Sequence, residues 1–187
     1  MWWDSNANEF KMWYRCGSPT STDGRIKQCL ATSKDGITFD KPSLDVVPGT
    51  NIVQTDYIDG STVWLDADPN TPPSERYRMA AVFSKEHYSA FSILNSADGV
   101  HWTTTLNRTG PIQDRSSVFL NPFRSPQQWV YSIKAGPEGF GRSRSYVAGP
   151  TLFVNKAKRD CEHCSWLCST RPFTASCSHY IDNQHES

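Results

Sequence analysis

The sequence lacks the features that mark several large classes of protein. No stretch approaches the roughly 20 consecutive apolar residues that a helix needs to cross a bilayer, so no helical membrane span is expected. The N-terminus, Met1-Trp2-Trp3-Asp4-Ser5-Asn6, carries no basic segment followed by an apolar run. It reads as the start of a soluble chain without a signal peptide, its location unknown. Neither charge is in surplus, with 19 Lys+Arg against 19 Asp+Glu. A nucleic-acid backbone or an anionic membrane surface demands clustered positive charge, so neither is an expected partner. A phosphate-cradling Gly-rich loop, a Gly-x-Ser-x-Gly elbow and a His-Glu-x-x-His pair are all missing. Nucleotide, serine-hydrolase and zincin chemistries therefore have no support. No long segment places apolar residues at i, i+3, i+4 and i+7, and little helix is expected.

What the sequence does hold is an internal repeat rich in Val, Ile, Thr, Tyr, Phe and Trp. Phe10-Lys11-Met12-Trp13-Tyr14 is followed by Ser33-Lys34-Asp35-Gly36-Ile37-Thr38-Phe39, and Tyr77-Arg78-Met79-Ala80-Ala81-Val82 by Ser96-Ala97-Asp98-Gly99-Val100-His101-Trp102. The two Asp-Gly pairs lie 63 residues apart, from Asp35 to Asp98, which is too long for a helical hairpin and suits a four-stranded sheet. A second motif, Asp-x-Ser-Ser/Thr-Val-aromatic, opens each unit: Asp59-Gly60-Ser61-Thr62-Val63-Trp64 recurs as Asp114-Arg115-Ser116-Ser117-Val118-Phe119.

The order within a unit reads as four strands. Strand A follows the Asp motif, and strand B covers 76–83 or 128–133 after a polar turn. Strand C covers 26–32 or 88–95. Strand D starts at Ile37 or Val100, after an Asp-Gly turn whose glycine tolerates the positive φ that such turns need. The expected fold is all-β, a partial β-propeller of four-stranded antiparallel blades over residues 1–146. At about 55 to 67 residues per unit the chain holds about two and a half of five blades, with Trp2-Trp3-Asp4 falling at the exit of a first strand A. The expectation is a fragment, self-associating through open blade edges.

The motifs Phe10-Lys11-Met12-Trp13-Tyr14, Thr32 to Phe39 and Asp114 to Arg124 resemble the five-bladed propellers of glycoside hydrolases, the family 32 and family 43 groups. The Ser-x-Asp-Gly turns also resemble the Asp-box of sialidase propellers. The resemblance implies a carbohydrate substrate or ligand and a central funnel lined by the A strands, with carboxylates at their starts. By that correspondence Asp59 and Asp114 are the candidate catalytic carboxylates. Cleavage of a glycosidic bond needs one protonated and one ionised carboxyl group on opposite sides of the bond. The competing reading is that each Asp caps a turn through backbone N–H groups.

The candidate substrate-binding residues are Arg115, Trp64, Asn121 and Arg124. Arg115 is placed either to hold Asp114 ionised or to bind a sugar hydroxyl or carboxylate through its planar donors. Trp64 offers a face for a sugar ring, or packs between sheets. Asn121 and Arg124 also read as an ordinary turn residue and a solvated cation. The general acid is not identifiable, since Glu138 sits in a turn with no matching motif. The whole reading is an incomplete glycosidase-like propeller, which puts its own catalysis in question. The alternative is a non-catalytic propeller that binds carbohydrate or protein.

Residues 147–187 break the pattern. Four of the six cysteines, Cys161, Cys164, Cys168 and Cys177, crowd there, apart from Cys16 and Cys29. With His163 and His179 they offer zinc ligands at a spacing unlike that of a ribbon or finger. Disulfides are a second reading, and a shifted reading frame, the favoured one, is a third. No metal or cofactor is expected.

Overall fold

The computed structural model describes residues 1–17, 26–85, 88–107, 112, 114–121, 123–135, 143–150 and 152. These residues are all-β, with no α-helix among them and one short 3-10 turn, Pro73–Glu75. The Cys-rich tail and Glu138 lie outside the described residues.

Among the described residues eleven strands form three antiparallel sheets, each a meander in chain order. The first holds β1 (Trp2–Asp4), β2 (Glu9–Cys16), β3 (Lys27–Ser33) and β4 (Ile52–Gln54). The second holds β5 (Ile58–Leu65), β6 (Tyr77–Lys85), β7 (Tyr88–Ser96) and β8 (Thr103–Leu106). In the third, β9 (Ser117–Asn121), β10 (Gln128–Ala135) and β11 (Ser143–Gly149) run in the same sense. The expected A, B and C strands all form. Trp2 pairs with Lys11, Trp64 with Arg78 and Phe119 with Val130, so the three opening strands occupy matching places.

Two expectations about strand boundaries are corrected. Strand D of the first unit does not begin at Ile37, which is 84% exposed, but at Ile52. The N–H groups of Ile37 and Thr38 both donate to Asp35 Oδ1, which removes them from any ladder. The chain then returns through an isolated bridge between Thr32 and Asp40 and another between Leu44 and Thr50. The fourth strand of the second unit likewise starts at Thr103 rather than Val100, whose N–H is taken by Asp98. In the third unit β11 ends at Gly149.

The second sheet is buried on both faces, which is why β6 reads as a continuous apolar run rather than an alternation. Ala80 and Val82 face one cluster, with Phe91, Ile93, Val118, Trp129, Tyr131 and Ile133, against the third sheet. Met79, Ala81 and Phe83 face the other, with Ile58, Leu94 and Trp102. The period-2 alternation of side chains along a strand sends neighbours in sequence to opposite clusters. Aromatic rings join the sheets: Trp64 lies edge-on between Trp2 at 4.5 Å and Trp129 at 5.8 Å, and Trp13 packs on Tyr77 and Trp102.

Candidate functional site

Antiparallel pairing brings the start of β5, the end of β2 and the start of β3 to one end of the sheets, and the start of β9 joins them. An open cleft of about 280 Å³ lies there. Its walls are Trp13, Tyr14 and Arg15 from β2, Gln28 from β3, Asp59, Gly60 and Ser61 from β5, and Arg115 to Ser117 at the entry to β9. The backbone of β5 and the segment entering β9 run close together, since a Cβ on Gly60 would meet Arg115 Cα at 3.9 Å.

Asp59 is 8% exposed, and its Oδ2 accepts the backbone N–H of Arg115 at 3.1 Å. Arg115 has φ 57°, a left-handed conformation uncommon outside glycine, and this turn aims its N–H at the carboxylate. Asp59 thus does act as a cap, but of the neighbouring sheet's turn rather than its own. No second partner of Asp59 is found among the described residues. Gln28, almost wholly buried, accepts a hydrogen bond from Ser61 Oγ at 2.7 Å. Tyr14 accepts one from Asn51 at 2.8 Å, which leaves its phenolic proton free to donate. A disulfide between Cys16 and Cys29 fastens β2 to β3 beside Arg15 and Gln28.

Asp114 lies outside the walls of this cleft. It is about half exposed and its partner is Lys134, so the expected pairing with the Arg115 guanidinium gives way to an ion pair with β10. Of the other candidates, Arg115 lines the cleft, whereas Trp64 packs between the sheets. Asn121 closes its own turn by accepting the Phe123 N–H at 3.0 Å, and Arg124 is exposed beyond it. The sequence reading missed Trp13, Tyr14, Arg15 and Gln28. They belong to another unit, and only the packing of sheets brings them to Asp59.

A second carboxylate cluster occupies the opposite end of the sheets. Asp4, 1% exposed at the end of β1, is bound by Arg76 at 2.5 Å, Lys11 at 3.0 Å and the Tyr77 hydroxyl, and it also accepts the N–H groups of Asn6 and Ala7. Burial alone would raise the Asp4 carboxyl, but the hydrogen bonds from Arg76, Tyr77 and Lys11 outweigh it and hold it well below the usual carboxylate range. Burial and then the neighbouring Asp4 push the Tyr77 phenol well above its ordinary value. This cluster is fully partnered and lies outside the walls of the Asp59 cleft, so it is a tie between sheets.

Among the described residues no group of three or more His, Cys, Asp or Glu stands ready to hold a metal, and no helix is long and apolar enough to cross a membrane. Compared with known proteins, the chain matches no protein-family model and no curated sequence.

Proposed function

We propose that the three sheets are blades of a β-propeller of the glycoside hydrolase kind, and that the Asp59 cleft takes a sugar residue. The observation that carries this reading is the place of Asp59. It is a nearly buried carboxylate with a single backbone hydrogen bond from the described residues, at the wall of a cleft where the opening strands of two successive units meet. Successive units in chain order, with β5 touching both β1 and β9, agree with blades arranged around an axis. Tyr14, the serines and Asp59 supply donors and acceptors for hydroxyl groups, and Trp13 supplies an aromatic wall for a sugar ring.

In this reading Asp59 is the ionised carboxylate of the pair that hydrolysis needs. Asp114 is a poor partner for it as placed, because Lys134 holds its charge. That ion pair favours a second reading, in which the cleft binds carbohydrate without cleaving it. The test is Asp59→Asn, assayed on a panel of aryl glycosides and, separately, for oligosaccharide binding by calorimetry. Hydrolysis by the parent that falls at least 100-fold in the variant supports the first reading. Binding without hydrolysis, weakened by the variant, supports the second, and absence of both overturns the assignment of the cleft to sugars.

A further inference from the structure

The cleft carries two guanidinium groups that no described residue neutralises. Arg15, at the end of β2 in the first sheet, and Arg115, at the entry to the third, are 100 residues apart in sequence and line the same 280 Å³ space. Both are exposed, and neither has an ion-pair partner among the described residues. Three of the four other described arginines are engaged, Arg76 by Asp4, Arg78 by Asp66 and Glu75, and Arg144 by the carbonyls of Ser132 and Arg115, whereas Arg124 is exposed in the turn after β9 and away from the cleft. Among the described residues the one carboxylate lining the cleft is Asp59, which accepts its hydrogen bond from the Arg115 backbone and not from its side chain. The described lining side chains therefore carry two positive charges against one negative.

We propose that the ligand of this cleft is a sugar acid, its carboxylate held by Arg15 and Arg115 and its hydroxyls by Asp59, Tyr14 and Ser117. This rests on the cleft taking sugars, as proposed above, and adds their chemical class. A planar guanidinium matches a carboxylate with two parallel N–H donors, and two such groups from different sheets fix both the position and the plane of the anion. A ring with an equatorial carboxylate leaves its hydroxyls for the polar wall, and its C–H face for Trp13. An exposed arginine pair facing one cleft has no comparable use for a neutral glycan. Each guanidinium would pay desolvation there without gaining an anionic partner.

The test compares uronic-acid oligosaccharides with the same oligosaccharides after reduction of their carboxyl groups, by calorimetry on the full chain in low salt. The expected result is at least tenfold tighter binding of the acidic set. Arg15→Gln and Arg115→Gln should each remove at least fivefold of that preference without lowering the unfolding temperature. Neutral oligosaccharides that bind as tightly as acidic ones, or a preference untouched by both variants, overturn the inference while leaving the sugar cleft standing. If neither set binds, the sugar reading falls and this inference falls with it. Inorganic phosphate, run as a third arm, should bind more weakly than the acidic sugars. Equal affinity with the same arginine dependence would make this a plain anion site and overturn the assignment to sugar acids.

Discussion

Asp4 and Asp59 are both aspartates on opening strands, both nearly buried, and they sit at opposite ends of the sheets in opposite states. Around Asp4 every oxygen is spoken for, by Lys11, Arg76, Tyr77 and two backbone N–H groups. Around Asp59 the described residues supply one backbone hydrogen bond and the walls of a cleft. Burial does not separate the two; the inventory of partners does. A carboxylate whose neighbours exhaust its lone pairs is committed to the fold, whereas one held by a single N–H keeps accepting capacity for a ligand. The Asp4 end extends this commitment outward, because Lys11 also donates to the Asp98 carbonyl at 3.0 Å and Trp13 to the Gly99 carbonyl at 2.7 Å. Trp13 is the wall between the two ends, packed on Tyr77 on one side and lining the cleft on the other.

The largest effect should come from removing Asp4. Asp4→Ala leaves Lys11 and Arg76 partly buried without their counter-charge and should cost about 3 kcal/mol of unfolding free energy in urea titrations. Asp59→Ala should cost less than about 1 kcal/mol, the scale of one net hydrogen bond. Equal losses would erase the distinction between the two ends. The pH dependence has a defined sign. The Asp4 carboxyl is depressed in the folded state, so its contribution is complete above its unfolded value of about 3.9 and is lost as pH falls below it. Asp4→Asn should therefore flatten the acid limb of the stability profile.

The next effect tests how tightly the committed end is packed. Gly99 has φ 81°, and a Cβ there would lie 2.5 Å from Trp13 Cζ2, in the neighbouring sheet. Gly36, at the same place in the first unit, has φ 73°, and its Cβ would meet only the Phe10 ring edge at 3.2 Å. Gly99→Ala carries backbone strain and a clash, and should cost about 3 kcal/mol. Gly36→Ala carries mainly the strain and should cost about 1 kcal/mol. A tolerated Gly99→Ala would mean that Trp13 moves freely, and the rigid wall of the cleft would be lost with it.

How much of this was legible in the sequence follows from how local each signal is. The two Ser-x-Asp-Gly turns could be read because their chemistry closes within six residues. Ser33 and Ser96 each donate to the Asp two residues on, the glycine N–H returns to the serine, and each Asp collects the N–H groups two and three residues beyond it. The same closure misled the reading of Ile37, whose β-branched side chain favours a strand but whose N–H the turn has already claimed. The A, B and C strands were legible because consecutive meander strands need only short-range pairing. The cleft was only half legible. Asp59 and Arg115 announce themselves by the repeat, but Arg15 and Gln28 reach them through the packing of one sheet on another, which no spacing along the chain encodes. The link between Cys16 and Cys29 was open for the same reason until β2 and β3 were paired in register.

The smallest effect belongs to His101, which repeats the Asp4 arrangement on the outside of the molecule. Its Nδ1 lies 2.7 Å from Asp98 and its Nε2 3.0 Å from Asp45, so one cation is set between two carboxylates, as Asp4 is set between two cations. All three side chains are about half exposed or more, and solvent screens what burial would have magnified. The hydrogen bond that His101 donates to Asp98 chiefly, with Asp45 adding to it, raises the His101 pKa above its ordinary value. A raised pKa means that the contribution is complete below the unfolded value of about 6.5 and is lost as pH rises through the folded one. Replacing His101 by Gln should therefore lower stability by about 0.5 kcal/mol or less at pH 5.5. The difference should vanish at pH 8.5, read as the urea midpoint against the parent at each pH. A loss as large as that of Asp4→Ala would show that partner number alone sets the energy. A loss that shrinks with exposure confirms that the Asp4 end is strong because its partners are both complete and dry.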